Sequence, residues 1–292
     1  MRPSASDTAV GDPGLLSPYW RFHQAVAEAQ LASWLPRAGR LLVDISGPHV
    51  RSAQIAAAAG HTVVRVDGVA PRPIGPVDGV PAGLVPPPPE AHLNGAAAPQ
   101  LLGAPVNGHG PAPAPETKPG QVDWVSADPA SLSFLADGCA DGIIAEDRTL
   151  SMQLATETLI ADITRVLRPA GRVLACVDSL VLGMAMLAEQ RHWAELTDLP
   201  HAEVVLVPWP DGTITRCFGA EQLRELFNDA GLTVMWIRPR TVFSPSTVAH
   251  VLNRDPKGLP RLVEAELAIR PDESVGVQLI ISARKQGPRR PR

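Results

Sequence analysis

Two short apolar segments, each closing on an aspartate and separated by one alanine-rich helix, constrain this chain more than any other feature. Arg40 to Ser46 (RLLVDIS) reads as a buried strand, and a turn follows at Gly47-Pro48. RSAQIAAAAG then reads as a helix stopped by Gly60, and HTVVRVD as a second strand ending at Asp67. Near-continuous apolar runs of this length suit strands covered on both faces. A strand–turn–helix–strand unit of this size implies a parallel pair joined by a right-handed crossover.

The same alternation recurs on either side. Upstream, YWRFHQAVAEAQLASWLP places Trp20, Val26, Ala27, Leu31 and Trp34 at helical spacing and stops at Pro36. Downstream, QVDWVSAD and DGIIAED read as strands ending in acids, and TLSMQLATETLIADITRVL as a helix with Leu154, Leu159, Ile163, Val166 and Leu167 on one side. RPAGRVLACVDS turns through Pro169 and Gly171 into a fifth strand, followed by a helix around GMAMLAEQRHWAEL. VVLVPW and TITRCF look like strands joined by a turn at Pro210-Asp211-Gly212. AEQLRELFNDAG is an amphipathic helix, and LTVMWIRP and GVQLIISARK are the last two strands. The order predicts an α/β fold: a doubly wound, mostly parallel seven-stranded sheet with an antiparallel C-terminal edge.

Between Asp67 and Gln121 the composition changes. Residues 68–120 are dominated by Pro, Gly and Ala, including the run Pro86 to Pro89, with no sustained apolar period. Such a stretch lacks backbone donors and cannot bury enough surface to offset its ordering entropy, so we expect a disordered, partly polyproline insertion. The expected organisation is a flexible tail over 1–18, one domain made of 19–67 and 121–285, the insertion, and a basic tail over 286–292. The insertion suits a linker, or a docking element for a protein partner.

A 45% hydrophobic content is ample for a sizeable core, and a net charge of −4 with no basic recognition region argues against a nucleic-acid partner. Cys139, Cys176 and Cys217 are widely spaced and form no metal-binding cluster, which suits a reducing cytoplasm. The N-terminal stretch has no apolar core after its arginine, and no run is long enough to cross a bilayer, so a cytoplasmic protein away from membranes is expected.

QVDWVSADPASLSF, CADGIIAED and LIADITRVLRPAGRVLACVDS together resemble the central part of small-molecule class I S-adenosylmethionine-dependent methyltransferases. RVLRPAGRVL, from Arg165 to Leu174, is similar to that family's RVLRPGGRL turn, with Ala170 in place of a glycine. AEQLRELFNDAGL looks like its last helix leading into the terminal hairpin. The resemblance spans 19–67 and 121–285 and implies S-adenosylmethionine as cofactor, a small-molecule acceptor, and in-line methyl transfer. It places cofactor-binding residues at strand ends: Asp44, Ser46 and Gly47 in the loop after the first strand, Asp67 toward the ribose hydroxyls, Asp128 toward the adenine amino group, and Glu146 at the fourth.

Each acid also has a plainer role. Asp44 can cap its own loop through backbone N–H groups, Asp67 can be a solvated strand end, and Asp128 can cap a short turn. Glycines in the loop would let the backbone approach a ligand closely. Where the family has D-x-G-x-G-x-G, this chain has Asp44-Ile45-Ser46-Gly47-Pro48-His49-Val50, and the helix expected after the Asp67 strand is replaced by the insertion.

For catalysis the candidates are Asp147, as a base for the acceptor's proton, and His192 beside Trp193. The commoner roles for such an acid are a salt bridge with Arg148 or a cap for Thr149. His23, beside Trp20, and His192 are candidates to line the acceptor site, and Tyr19 and Trp20 to form a lid over the cofactor or to anchor the first helix to the sheet. A nicotinamide dehydrogenase would need G-x-G-x-x-G after the first strand, which is absent. The reading of another class is a methyltransferase-like binding or scaffold protein without catalysis, motivated by the altered loop and the insertion.

Overall fold

The structure is a computed structural model that describes residues 17–37, 39–47, 51–68, 120–199, 202, 204–209, 211–269 and 276–287. Residues 69–119 of the insertion, the basic tail from 288 onward and the tail before residue 17 lie outside the described residues, as do Pro48, His49 and Val50.

Helix α1 (Pro18–Trp34) begins where the sequence gives it a cap: Ser17 Oγ accepts the Trp20 N–H, and Pro18 occupies the first turn. Strands β1 (Leu41–Asp44), β2 (Thr62–Asp67) and β3 (Val122–Ser126) are parallel neighbours, with α2 (Arg51–Ala58) crossing from β1 to β2. Strand β4 (Ala140–Ala145) lies on the other side of β1, followed by α3 (Thr156–Val166) and β5 (Leu167–Ser179). The third helix therefore starts later than its periodicity predicts, and Leu154 stands exposed outside it.

After β5 come α4 (Leu180–Glu189) and α5 (Trp193–Asp198), one expected helix broken at Arg191, whose φ is +60°. The hairpin β6 (Val205–Pro208) and β7 (Ile214–Phe218) follows, then α6 (Ala220–Asp229) and β8 (Leu232–Arg240). Strand β9 (Gln278–Lys285) inserts antiparallel between β5 and β8.

The expected seven strands run β3-β2-β1-β4-β5-β9-β8, and the β6–β7 hairpin adds two more by pairing β7 with the last two residues of β5. The final strands are not joined by a tight turn. Helices α7 (Pro245–Arg254) and α8 (Leu259–Leu267) intervene and pack on α1, burying Val248 and Leu252 against Phe22 and Val26. Sequence reading missed these helices because Pro256 and Pro260 interrupt a run whose apolar residues, Val248, Leu252, Leu259 and Val263, are spread over both.

The strands alternate as period two requires. Leu42, Val63, Ile144, Leu174 and Ile280 face α1 and α2, while Val43, Val64, Ile143, Val173 and Ile281 face α3 and α6. Each such side chain is at most a few per cent exposed, and burying one stabilises the fold by about 1.5–3 kcal/mol. Arg65 shares its face of β2 with Val63 and is fully buried, so this face carries a charge into the core. No helix among the described residues is long and apolar enough to cross a membrane.

Candidate functional site

The strand order reverses direction between β1 and β4, which makes the carboxyl ends of these strands the crevice where ligands bind in open α/β sheets. Asp44 ends β1 and is fully buried. One carboxylate oxygen accepts the Ser46 N–H at 2.9 Å and the other accepts the Ser52 hydroxyl at 2.7 Å. Arg65 Nη1 lies 3.2 Å from the same carboxylate. Asp44 thus folds its own loop and pins the first turn of α2, the plainer of its two roles.

Ser46 Oγ points to β4, where it accepts the Glu146 N–H at 2.9 Å. Arg65 Nη2 donates to the carbonyl of Gly47. A Cβ on Gly47 would sit 2.9 Å from Asp147 Cβ, so only glycine permits this approach between the ends of β1 and β4.

The ends of β2 and β3 come together beside this loop. Asp67 keeps a half-exposed carboxylate (45%), 3.7 Å from Arg65 Nη2. Asp128 is exposed and uses one oxygen to accept the Ala130 N–H at 2.9 Å, closing its own turn. Gly68 packs so tightly on Pro129 that a Cβ would fall 3.0 Å from the proline ring.

At the end of β4 the three charged residues separate. Glu146 is buried in a bidentate pair with Arg240 at the end of β8, at 2.7 and 3.0 Å. Arg240 Nε also donates to Gln30 of α1 at 2.7 Å. The structure therefore places Glu146 beneath the site as a structural ion pair and not at a ligand-facing position.

Asp147 and Arg148 both have left-handed backbone, with φ of +55° and +65°. Two consecutive non-glycine residues in this region cost about 1–3 kcal/mol each and cluster at functional sites. The consequence is a split. Asp147 turns onto Gly47, whereas Arg148 turns toward β5, where its Nε meets the Asp178 carboxylate at 2.8 and 2.9 Å and its guanidinium lies 4.5 Å from the Trp209 ring centroid. The Asp147–Arg148 salt bridge does not form, and Thr149 Oγ1 donates to the carbonyls of Ile45 and Glu146, with no cap from Asp147.

Asp147 is solvent-exposed just past the end of β4. Loss of solvation, reinforced by Glu146 and Asp44 and opposed by Arg240 and Arg65, pushes its carboxyl up to about 7. Burial also raises Asp178, against the lowering effect of Arg148 and Thr215.

Beyond Arg148 a small cleft of about 20 Å³ is lined by Tyr19, Trp20, His23, Trp209 and Gln278 among others. His23 lies 3.0 Å from Gln278 Oε1 and in edge contact with Trp20. Burial and the positive charge of Arg240 lower its pKa to about 4, so the ring is neutral at pH 7. His192 does not line this cleft. It sits at the cap of α5, 3.3 Å from Glu195 on an exposed surface.

Sequence reading missed Arg65, Asp178, Trp209 and Arg240. Arg65 carried a signal, a charge in the middle of the apolar strand TVVRVD, which is buried only when paired. Nothing in the local sequence marks Arg240. Among the described residues no cluster of His, Cys, Asp and Glu could hold a metal ion.

No family model and no curated protein matches the sequence. Solved structures do. A Haloferax volcanii complex between the Trm112 methyltransferase activator and a methyltransferase matches at a TM-score of 0.51 and 12% identity, covering 93% of this chain and 93% of that one. A Listeria monocytogenes structure described as an S-adenosylmethionine-dependent methyltransferase matches at 0.50 and 11%, covering 90% and 99%. A Burkholderia thailandensis 1,6-didemethyltoxoflavin-N1-methyltransferase, with its substrate and S-adenosylhomocysteine bound, matches at 0.49 and 18%, covering 92% and 81%. At such identities the likeness establishes architecture alone, and the architecture of this chain is the class I S-adenosylmethionine-dependent methyltransferase fold.

Proposed function

We propose that the chain is an S-adenosylmethionine-dependent methyltransferase acting on a small-molecule acceptor. One observation carries this reading: along the carboxyl edge of the parallel sheet, exposed carboxylates end β2 and β3 on one side of the β1–β4 switch point, and a small aromatic-walled cleft lies on the other, beyond Arg148. Asp67 has the exposure to accept two ribose hydroxyls, and Asp128 with Pro129 can edge a purine. Asp44, Ser46 and Glu146 support that surface from beneath, because their polar atoms are engaged within the protein. The adenosine half fits the residues present. On the methionine side, Asp147 at Gly47 is the accessible charged group.

When bound, the cofactor supplies an already activated methyl group, so the protein's task is alignment and exclusion of water. Tyr19, Trp20 and Trp209 give the cleft apolar walls, and Arg148 is held in place by Asp178 and stacked on Trp209. Asp147, close to neutrality, is better matched than His23 to take a proton from an acceptor at pH 7.

A second reading has its own observation. Arg65 occupies the loop carbonyl and Asp147 covers Gly47, which favours a methyltransferase-like scaffold with weakened cofactor binding. The insertion would then serve as the docking element. Calorimetric titration with S-adenosylmethionine and S-adenosylhomocysteine separates the two. The enzyme reading expects binding of both, weakened at least tenfold by Asp67→Ala through the loss of two hydrogen bonds to a charged group, each about 1.5–3 kcal/mol at most. No binding at millimolar ligand sinks it, and unchanged affinity in Asp67→Ala removes the assigned ribose contact.

A further inference from the structure

Arg148 is the one arginine among the residues that line the cleft, and its guanidinium is fixed in orientation. Asp178 takes its Nε at 2.8 and 2.9 Å, and the guanidinium lies 4.5 Å from the Trp209 ring centroid. This anchoring uses one edge of the group. Among the described residues Nη1 and Nη2 make no hydrogen bond, and neither is sealed from solvent. Gln278 lines the same cleft and is 7% exposed, with its Oε1 accepting from His23 Nε2 at 3.0 Å. That bond fixes the amide so that its NH2 group is a second donor, reachable and without an acceptor among the described residues.

Forked N–H donors without acceptors, between aromatic walls, suit an oxyanion. Because Asp178 holds Nε, the edge that remains is the Nη1–Nη2 pair, which matches the two oxygens of a carboxylate. The volume sets the size of the group. About 20 Å³ admits one or two water-sized groups, enough for a carboxylate and too little for a ring. We propose that the cleft is a carboxylate subsite, in which Arg148 and Gln278 hold the acid group of the molecule to be methylated. The acceptor is then an organic acid whose body lies outside the cleft. Its role as acceptor rests on the methyltransferase reading above; binding of the carboxylate does not.

Asp178 balances the charge of Arg148, and His23 is neutral at pH 7, so selectivity comes from donor geometry more than from net charge. The backbone is committed to the same arrangement. Thr241, a β-branched residue 2% exposed, lines the cleft at φ +61°, and Arg148 itself stands at φ +65°. Left-handed backbone at such residues persists where the surroundings over-determine it, and both strained positions border this one cleft.

The test is titration of the full chain with benzoate and, separately, with its neutral isostere benzamide, followed by saturation-transfer NMR at constant ionic strength and without cofactor. Benzoate should bind at least about tenfold more tightly, the difference expected from one charge-assisted hydrogen bond. Arg148→Lys keeps a cation beside Asp178 but loses the fork, and should weaken benzoate about fivefold to tenfold while leaving benzamide unchanged. Gln278→Met leaves the Arg148–Asp178 pair in place and should weaken benzoate about threefold, which keeps the test decisive if Arg148→Lys fails to fold. Equal affinity for the two probes, no binding of benzoate at high millimolar concentration, or an unchanged benzoate affinity in the folded variants overturns the proposal. Benzoate binding that persists while S-adenosylmethionine fails to bind overturns the methyltransferase reading and leaves the carboxylate subsite standing.

Discussion

Removing the Glu146 carboxylate should destabilise this protein more than any single substitution on the exposed part of the site. Arg240 is 2% exposed, and its guanidinium is held by Glu146 at 2.7 and 3.0 Å and by Gln30 at 2.7 Å. At an effective dielectric near ~20, charge centres about 4 Å apart attract by about 4 kcal/mol, which offsets the cost of burying both ions. Glu146→Ala leaves a guanidinium in the core with only the neutral partners Gln30 and Cys176, and a loss of about 3–5 kcal/mol follows. Glu146→Gln keeps an acceptor but not the charge, and should cost about 2–3 kcal/mol. The double substitution Glu146→Leu/Arg240→Met removes both ions. It leaves Gln30 without its partner, for about 1 kcal/mol, and should sit within about 2 kcal/mol of the wild type. Urea unfolding followed by tryptophan fluorescence gives these three values and, with the single changes Glu146→Leu and Arg240→Met measured beside the double, the coupling energy of the pair. A Glu146→Ala cost below about 1 kcal/mol, or a double variant as unstable as the two single changes summed, would refute the reasoning. Either result would return Glu146 to the list of ligand-facing groups.

Two further substitutions test the local backbone. Ala170 sits at φ +68° on an exposed turn where a glycine has no Cβ clash, so Ala170→Gly should stabilise the fold by about 0.5–1 kcal/mol in the same assay, against the usual penalty for glycine. Gly47→Ala places a Cβ 2.9 Å from Asp147 Cβ. It should cost about 1–3 kcal/mol and weaken binding of S-adenosylmethionine, and an unchanged melting temperature would show that the two strand ends do not approach so closely.

The parts of the fold that were legible in the sequence are those set by a short-range period. The β1–α2–β2 unit, β4–α3–β5 apart from the late start of α3, and α6–β8 stand where apolar runs and helical spacing put them, because burial of Leu42, Ile144, Ile163 or Phe227 is decided by which residues share a face. Helices α7 and α8 escaped, since each is short and their pairing with α1 is a tertiary fact. The positions of the acids were legible too, but their roles were not. Whether Asp44, Glu146 or Asp147 faces a ligand depends on which arginine arrives beside it. Arg240 reaches Glu146 from 94 residues away only because β9 places β8 at that edge.

The altered loop is the case where this distinction matters most. Read alone, Asp44 to His49 is a glycine-rich loop that has lost its glycines. In the structure the described part of that loop is held by side chains: Asp44 takes the Ser46 N–H, Ser46 takes the Glu146 N–H, and Arg65 takes the Gly47 carbonyl. A loop fixed by neighbouring strands does not need glycine's freedom except at the one place where another chain segment presses on it, and Gly47 against Asp147 is that place. The fewer glycines and the buried charge at Arg65 are therefore coupled departures: no described residue of the loop has positive φ, Arg65 holds it through Asp44 and the Gly47 carbonyl, and substituting either partner of the Asp44–Arg65 pair should release the loop.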